Sequence, residues 1–232
     1  ASIKRLYLHE EIYEAFMDKL VKATKQLKQG LPTEEGVDVG AMINEEQLNF
    51  VAEMVETGRN EGAKILVGGR RNPDLKGYFY EPTIIADATN DMEIVQKEIF
   101  GPVLVVLEVN STEDAIKKVN DNPYGLTSCV WTSDIDKGKE IAEEINTGTV
   151  MINEVVYTFA LAATPWGGTK ESGIGRTHGL EGFMEVVRPL HINVDHGEEK
   201  DPWWFPYDAD NLEVVENFKL IANSLIVKDE HE

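Results

Sequence analysis

A single cysteine, Cys129, among 232 residues excludes an internal disulfide framework, so the fold has to be held by its core. The same scarcity fits a reducing, cytoplasmic compartment. No apolar run approaches the roughly 18 residues that a membrane-spanning helix needs. The start, Ala1-Ser2-Ile3-Lys4-Arg5, also lacks the continuous apolar stretch of a secretory leader, and a soluble protein with no membrane partner is expected. Basic residues are sparse too: 22 Lys and Arg face 42 Asp and Glu, a formal charge of −20 at pH 7. A surface of that sign repels polyanions, which argues against nucleic acid as a partner. His178 has no Cys or His at ligand spacing, and no metal site is expected.

What is present suffices for a core, since 42% of the residues are hydrophobic in a chain long enough to bury them. Strand and helix patterns alternate along it. Lys4 to His9 alternates as a strand, and Ile12, Phe16, Leu20, Ala23 and Leu27 recur at helical spacing. After a loop from Gln29 to Gly40, Asn44 and Gln47 read as an N-cap and its box partner, opening a helix with Leu48, Val51 and Val55 inward. Lys64 to Gly68 reads as the next strand. Ser111 with Asp114 and Ser133 with Asp136 each read as a helix start, the first before a strand from Gly125 to Thr132, the second before one from Thr149 to Asn153. This rhythm predicts an α/β fold, a three-layer sandwich with a mostly parallel sheet and helices on both faces.

No repeat or linker composition interrupts the chain before about residue 195, which predicts one α/β domain over 1–188. Pro189 to Val194 then alternates as a short strand. An acidic stretch from Asp195 to Asp210 carries Trp203-Trp204-Phe205-Pro206-Tyr207, and Leu212 to Ile226 has helical spacing. The aromatic cluster is flanked by Asp201 and Asp208 in place of cations, which disfavours stacking on nucleic acid bases. Docking of the 196–232 tail onto the body or a partner subunit is the expectation.

The segment Lys97-Glu98-Ile99-Phe100-Gly101-Pro102, running into the apolar stretch Val103 to Val109, is the most informative. In an extended backbone Glu98 and Phe100 face the same way, as a pair able to grip a flat, hydroxylated ligand. Taken alone, the plainer account is a surface carboxylate and a core ring. The glycines of Gly167-Gly168 with Gly173 and Gly175 lack the GK[ST] ending of a phosphate loop and the strand and acid of a dinucleotide fingerprint, so a tight site loop is the better account. Cys129 lies in a strand pattern with no charged neighbour, which reads as a buried small hydrophobe and not as a nucleophile.

Six segments together carry a resemblance. Ala1 to His9 followed by Ile12-Tyr13-Glu14-Ala15-Phe16, the Gly77-to-Ile84 segment, Lys97 to Pro102, Asn122-Pro123-Tyr124-Gly125-Leu126, Gly148-Thr149-Val150-Met151-Ile152-Asn153 and Pro165 to Arg176 occur in one order. In that order and spacing they resemble the aldehyde dehydrogenase superfamily.

The resemblance implies NAD or NADP as cofactor, with Glu98 taking the nicotinamide ribose hydroxyls and Phe100 packing against that ribose. It places Asn153 beside the substrate pocket and makes Tyr157, Phe159 and Trp166 an apolar wall of the aldehyde tunnel. Lys170 and Arg176 are implied to hold the signature loop, while Thr177 stands where a Glu commonly follows the Arg. The family's nucleophilic Cys is expected immediately before Ala1, and its general-base Glu and first cofactor domain further upstream, so none of the catalytic residues is expected in this chain. An N-terminal half of the same enzyme is thus an expected partner, and this chain alone is expected to be inactive. The 189–195 strand is implied to join a neighbouring subunit, giving a dimer or tetramer. The alternative is a non-catalytic α/β module kept for oligomerisation or binding.

Overall fold

The computed structural model describes residues 2–196 and 209–226. The aromatic cluster at 203–207 lies outside the described residues. Two compact units divide at Val187 and Arg188.

The first unit is built on a four-stranded sheet. Its elements are β1 (Arg5–His9), α1 (Glu10–Thr24), α2 (Glu45–Glu61), β2 (Lys64–Val67), β3 (Thr83–Ala86), α3 (Glu93–Gln96) and β4 (Val103–Val109). Strand order is β1-β4-β3-β2. β4 pairs in parallel with both β1 and β3, and β2 joins antiparallel at the edge. Alternation along the central strands divides the core between two faces. Val103, Val105 and Leu107 of β4 and Ile85 of β3 meet Leu48, Val51, Met54 and Val55 of α2 and Ile94 and Val95 of α3. On the opposite face, Val106 with Ile84 and Ala86 meets Tyr13 and Met17 of α1 and Leu8 of β1. Helix, sheet, helix is the predicted three-layer sandwich, and each of these fully buried side chains contributes about 1.5–3 kcal/mol of hydrophobic stabilisation.

Of the apolar residues whose spacing predicts α1, Leu20 packs on the core beside Tyr13 and Met17 while others face outward. Tyr13, Met17 and Thr24 are buried, whereas Ile12, Phe16 and Leu27 are 52%, 40% and 42% exposed. Both stripes carry apolar residues at helical spacing, so periodicity alone does not choose between them. α2 matches expectation, with Leu48, Val51 and Val55 buried and the Asn44 side chain accepting from the Gln47 N–H at 2.8 Å. Gln47 does not close the box by reaching back. Its amide donates instead to the Phe100 carbonyl, 3.0 Å away, tying the first turn of α2 to the segment before β4.

After β4 come α4 (Thr112–Asn120), β5 (Tyr124–Gly125), β6 (Thr127–Val130), α5 (Ile135–Glu144), β7 (Thr149–Ile152), β8 (Thr169–Lys170) and α6 (Gly179–Met184). Ser111 caps α4 as predicted, accepting from Asp114 N–H at 3.1 Å. α5 starts one residue later than predicted, because Asp134 and not Ser133 accepts from the backbone, at Lys137 N–H. The expected strand from Gly125 to Thr132 is broken at Leu126. Its first part pairs antiparallel with β8, its second in parallel with β7. The strands thus fall into three sheets, where the sequence pattern suggested one.

In the second unit, residues 188–196 are irregular, so the strand predicted at 189–195 has no ladder of its own. A helix, α7 (Ala209–Ile226), follows the predicted helical spacing. Among the described residues no helix is long and apolar enough to cross a membrane.

Two phenols of the first unit report on pH. Burial pushes the Tyr7 and Tyr80 hydroxyls up to about 12, and Tyr7 donates to Asn90 Oδ1 at 3.2 Å. A phenol in the unfolded chain ionises near pH 10. Folded-state values raised above that mean stabilisation that is complete below about pH 10 and lost as pH climbs through about 12. Urea midpoints measured across that window are expected to fall, and to fall less steeply in Tyr80→Phe.

Candidate functional site

The Lys97–Pro102 segment is fixed by its backbone while two of its side chains stand free. Ile99 is 3% exposed and anchors in the core; Glu98 and Phe100, on either side of it, are exposed, the ring at 65%. Gly101 N–H donates to the Ile99 carbonyl at 2.9 Å, a three-residue turn centred on Phe100. Gly101 lets the chain lie against α2, where a Cβ would come within 2.7 Å of Val51. The Pro102 carbonyl accepts from Thr83 N–H at 2.8 Å, and Gln47 holds the Phe100 carbonyl.

Two cations at the head of β1, not singled out from the sequence, complete this surface. The Arg5 guanidinium donates to the carbonyls of Val95 and Lys97, while its head lies 5.7 Å from the Tyr124 ring centroid. Lys4 Nζ sits 5.4 Å from the Phe100 ring centroid. Burial pulls the Lys4 pKa down, opposed by the Glu98 carboxylate. The only sequence signal for these roles was a Lys-Arg pair leading into a strand, and their partners lie about 90 residues away, beyond any local pattern. The crevice beneath, between Lys4, Arg5, Lys97 and Ile99, is too narrow for a water molecule. The Glu98–Phe100 pair is thus an open ledge and not a pocket wall.

Arg5 also links this ledge to the second group of predicted residues. Its ring partner Tyr124 pairs with Lys170 in β8, within the loop Pro165 to Arg176. Lys170 Nζ donates to the carbonyls of Asn120 and Asn122 at 2.9 and 3.0 Å, and Arg176 donates to those of Gly168 and Gly175 at 2.7 and 2.9 Å. Both cations are consumed in holding the loop, the role the sequence assigned them. Thr177, in the place of the usual Glu, donates its hydroxyl to the Trp166 carbonyl at 3.1 Å. Backbone crowding is severe where β7 begins: a Cβ on Gly148 would lie 1.6 Å from the Gly167 carbonyl oxygen.

Asn153 ends β7 in the left-handed region, φ 56°. Its side-chain amide accepts from Thr132 N–H at 2.9 Å and donates to Thr132 O at 2.7 Å, so both polar ends extend the ladder by one rung. Tyr157 and Phe159 lie on a single 3₁₀ turn, Tyr157–Ala160, at 57% and 53% exposure. Trp166 is half-buried and pairs with Thr177. Trp166 Nε1 and His178 Nδ1 are buried polar atoms with no partner among the described residues.

Other candidates are already occupied. Cys129, half-buried in β6 opposite Met151, has its thiol pKa pushed up by burial, with the Glu154 charge adding to it. That is the reverse of an activated nucleophile. A cleft of about 280 Å³ at the carboxyl ends of β3 and β4 is lined by Tyr13, Asp87, Asn90 and Lys118 among others. Asp87 pairs with Lys64 and Lys118 with Asp114, each at 2.7 Å, and Glu108 also lines the cleft.

An α/β sandwich with a largely parallel sheet, bearing an exposed acid and an exposed ring two residues apart ahead of β4, is the class this geometry defines. A family model, the aldehyde dehydrogenase family, matches residues 1–192, and the chain belongs to that family. It is 37% identical over 202 residues to the putative succinate-semialdehyde dehydrogenase [NADP(+)] 2 of Mycobacterium ulcerans, with 87% of this chain and 39% of that protein covered. It is 42% identical over 191 residues to the betaine aldehyde dehydrogenase of Bacillus subtilis, covering 81% and 39%. Among solved structures, the betaine aldehyde dehydrogenase of Staphylococcus aureus in complex with NAD+ superposes with a TM-score of 0.80 at 35% identity, over 87% of this chain and 40% of that one. The chain thus spans about two fifths of the length of these relatives.

Proposed function

We propose that this chain is the C-terminal part of an NAD(P)-dependent aldehyde dehydrogenase, an enzyme that oxidises an aldehyde to a carboxylic acid through a thioester. One observation supports the reading: Glu98 and Phe100 are both exposed, two apart, on a backbone pinned by Ile99, Gln47 and Gly101. A carboxylate accepts from the two adjacent hydroxyls of a ribose, and a ring beside it packs on the sugar, so the pair fits a nicotinamide nucleoside. The nicotinamide, when bound, takes up the hydride. Glu98 and Phe100 contribute position, which is how a rigid protein surface lowers the barrier to transfer between two bound groups.

Tyr157, Phe159 and Trp166 supply an apolar wall to the aldehyde. No Lys or Arg occurs between Glu154 and Thr164, so this wall offers no clamp to an anionic tail on the substrate. The nucleophilic Cys, the general-base Glu and the first cofactor domain belong to the other half of the enzyme in this reading, and the whole works in the cytoplasm as a dimer or tetramer joined through 189–195. Similarity to a protein solved with NAD+ and to one named for NADP(+) supports a nicotinamide cofactor and leaves both forms within the proposal.

The decisive experiment combines the purified chain with the N-terminal half of the enzyme and follows aldehyde-dependent formation of reduced nicotinamide. Turnover is expected from the combination and none from the chain alone. A stably folded chain that never complements would replace this reading with that of a non-catalytic α/β module. Within the active combination, Glu98→Gln is expected to raise the cofactor KM about tenfold or more, the worth of hydrogen bonds to a charged acceptor; an unchanged KM would remove Glu98 from the cofactor site.

A further inference from the structure

Lys4 immediately precedes β1, and its backbone is held by the ladder: Val105 N–H donates to the Lys4 carbonyl at 3.3 Å. Its side chain also has a defined place. The ammonium lies 5.4 Å from the Phe100 ring centroid, and the Glu98 carboxylate acts on its charge. The cation therefore engages the ring of the exposed pair. A ring attracts a cation to its negative face, the more so where water is partly excluded, and Lys4 is half-buried.

Phe100 is 65% exposed and Glu98 is exposed beside it. Left to themselves, both side chains would sample several rotamers. Each such side chain that has to be ordered when a ligand docks weakens binding, and one already ordered does not. The geometry points to Lys4 as a positioning residue of the cofactor site, its ammonium holding the Phe100 ring as a preformed surface for the nicotinamide ribose, an inference that rests on the seating role of Glu98 and Phe100 given above. Lys4 covers one face of the ring and leaves the other to the sugar. Its ring partner, Phe100, belongs to the proposed cofactor surface, so its effect is expected on the cofactor.

Two measurements test this. In the chain alone, the ring current of Phe100 is expected to move the Lys4 ε-methylene proton resonances upfield, and Phe100→Leu to abolish the shift; resonances at their ordinary position would overturn the contact. In the active combination with the N-terminal half, Lys4→Met is expected to raise the cofactor KM about three- to fivefold, the size of a cation–π contact at a partly exposed site, with kcat moving less and the aldehyde KM unmoved. Lys4→Arg, which also stacks on a ring, is expected to restore most of the loss. A Lys4→Met variant with unchanged cofactor KM, alongside a Glu98→Gln variant whose KM rises, would discard the role of Lys4 and keep the site. If neither variant moves the cofactor KM, the site itself is wrong. A Lys4→Met loss that appears equally in kcat, in both KM values and in melting temperature would make Lys4 merely structural and end the proposal.

Discussion

Gly148→Ala is expected to destabilise the first unit by about 3 kcal/mol or more, at the upper end of the cost of overpacking. The added methyl would sit 1.6 Å from the carbonyl oxygen of Gly167 and 2.7 Å from its carbonyl carbon. Both atoms are backbone, so no rotamer change relieves the clash. The strand beginning at Thr149 and the turn at Gly167 would have to separate. Gly148 N–H donates to the Gly125 carbonyl at 3.0 Å, and that contact joins β5 to the same neighbourhood. Disruption should therefore spread to the loop that carries Tyr157, Phe159 and Trp166. Limited proteolysis is expected to cut the variant within 153–179 before the wild type, and urea unfolding to show the loss directly. A variant of wild-type stability would mean that the two backbones do not approach as described.

Leu107→Ala should lower stability by about 2–5 kcal/mol. Leu107 is 1% exposed in β4, one of the two strands with a neighbour on either side. It packs on the face formed by α2 and α3, and those neighbours are held by strand pairing and by Gln47, so the cavity left by truncation cannot easily close. The same change at Leu66, an apolar residue 40% exposed on edge strand β2, should cost well under half as much. Denaturant midpoints for the two variants, compared at equal slope, decide the point. Equal losses would show that β4 is not the centre of the core.

How much of this was legible in the sequence depended on range. The caps at Asn44 and Ser111 were readable because a cap is a contact between residues three apart. The exposure of Glu98 and Phe100 about a buried Ile99 was readable for the same reason, since it is a property of a few consecutive residues. The helix α1 was readable from spacing, but which of its apolar residues are buried is decided by β1, β3 and β4, which take Tyr13, Met17 and Leu20. The break at Leu126 came from strand partners far along the chain, β8 for one side and β7 for the other. The resemblance set Asn153 beside the substrate pocket, and the hydrogen bonds of its side chain to Thr132 involve a residue 21 positions away that no local pattern links to it. Lys4 and Arg5 were missed altogether, because nothing within a helical turn of them hints at Phe100, Val95 or Tyr124.

The pairing of β1 with β4 sets Arg5 beside Val105, 100 residues along the chain. Closing so long a loop is entropically slow, and parallel strands admit no shortcut through a hairpin. During translation, β1 and α1 therefore emerge from the ribosome with their apolar sides uncovered and wait until synthesis has passed Val109 before they can settle. A chaperone that shields that early segment should raise the yield of soluble chain more than one acting after release.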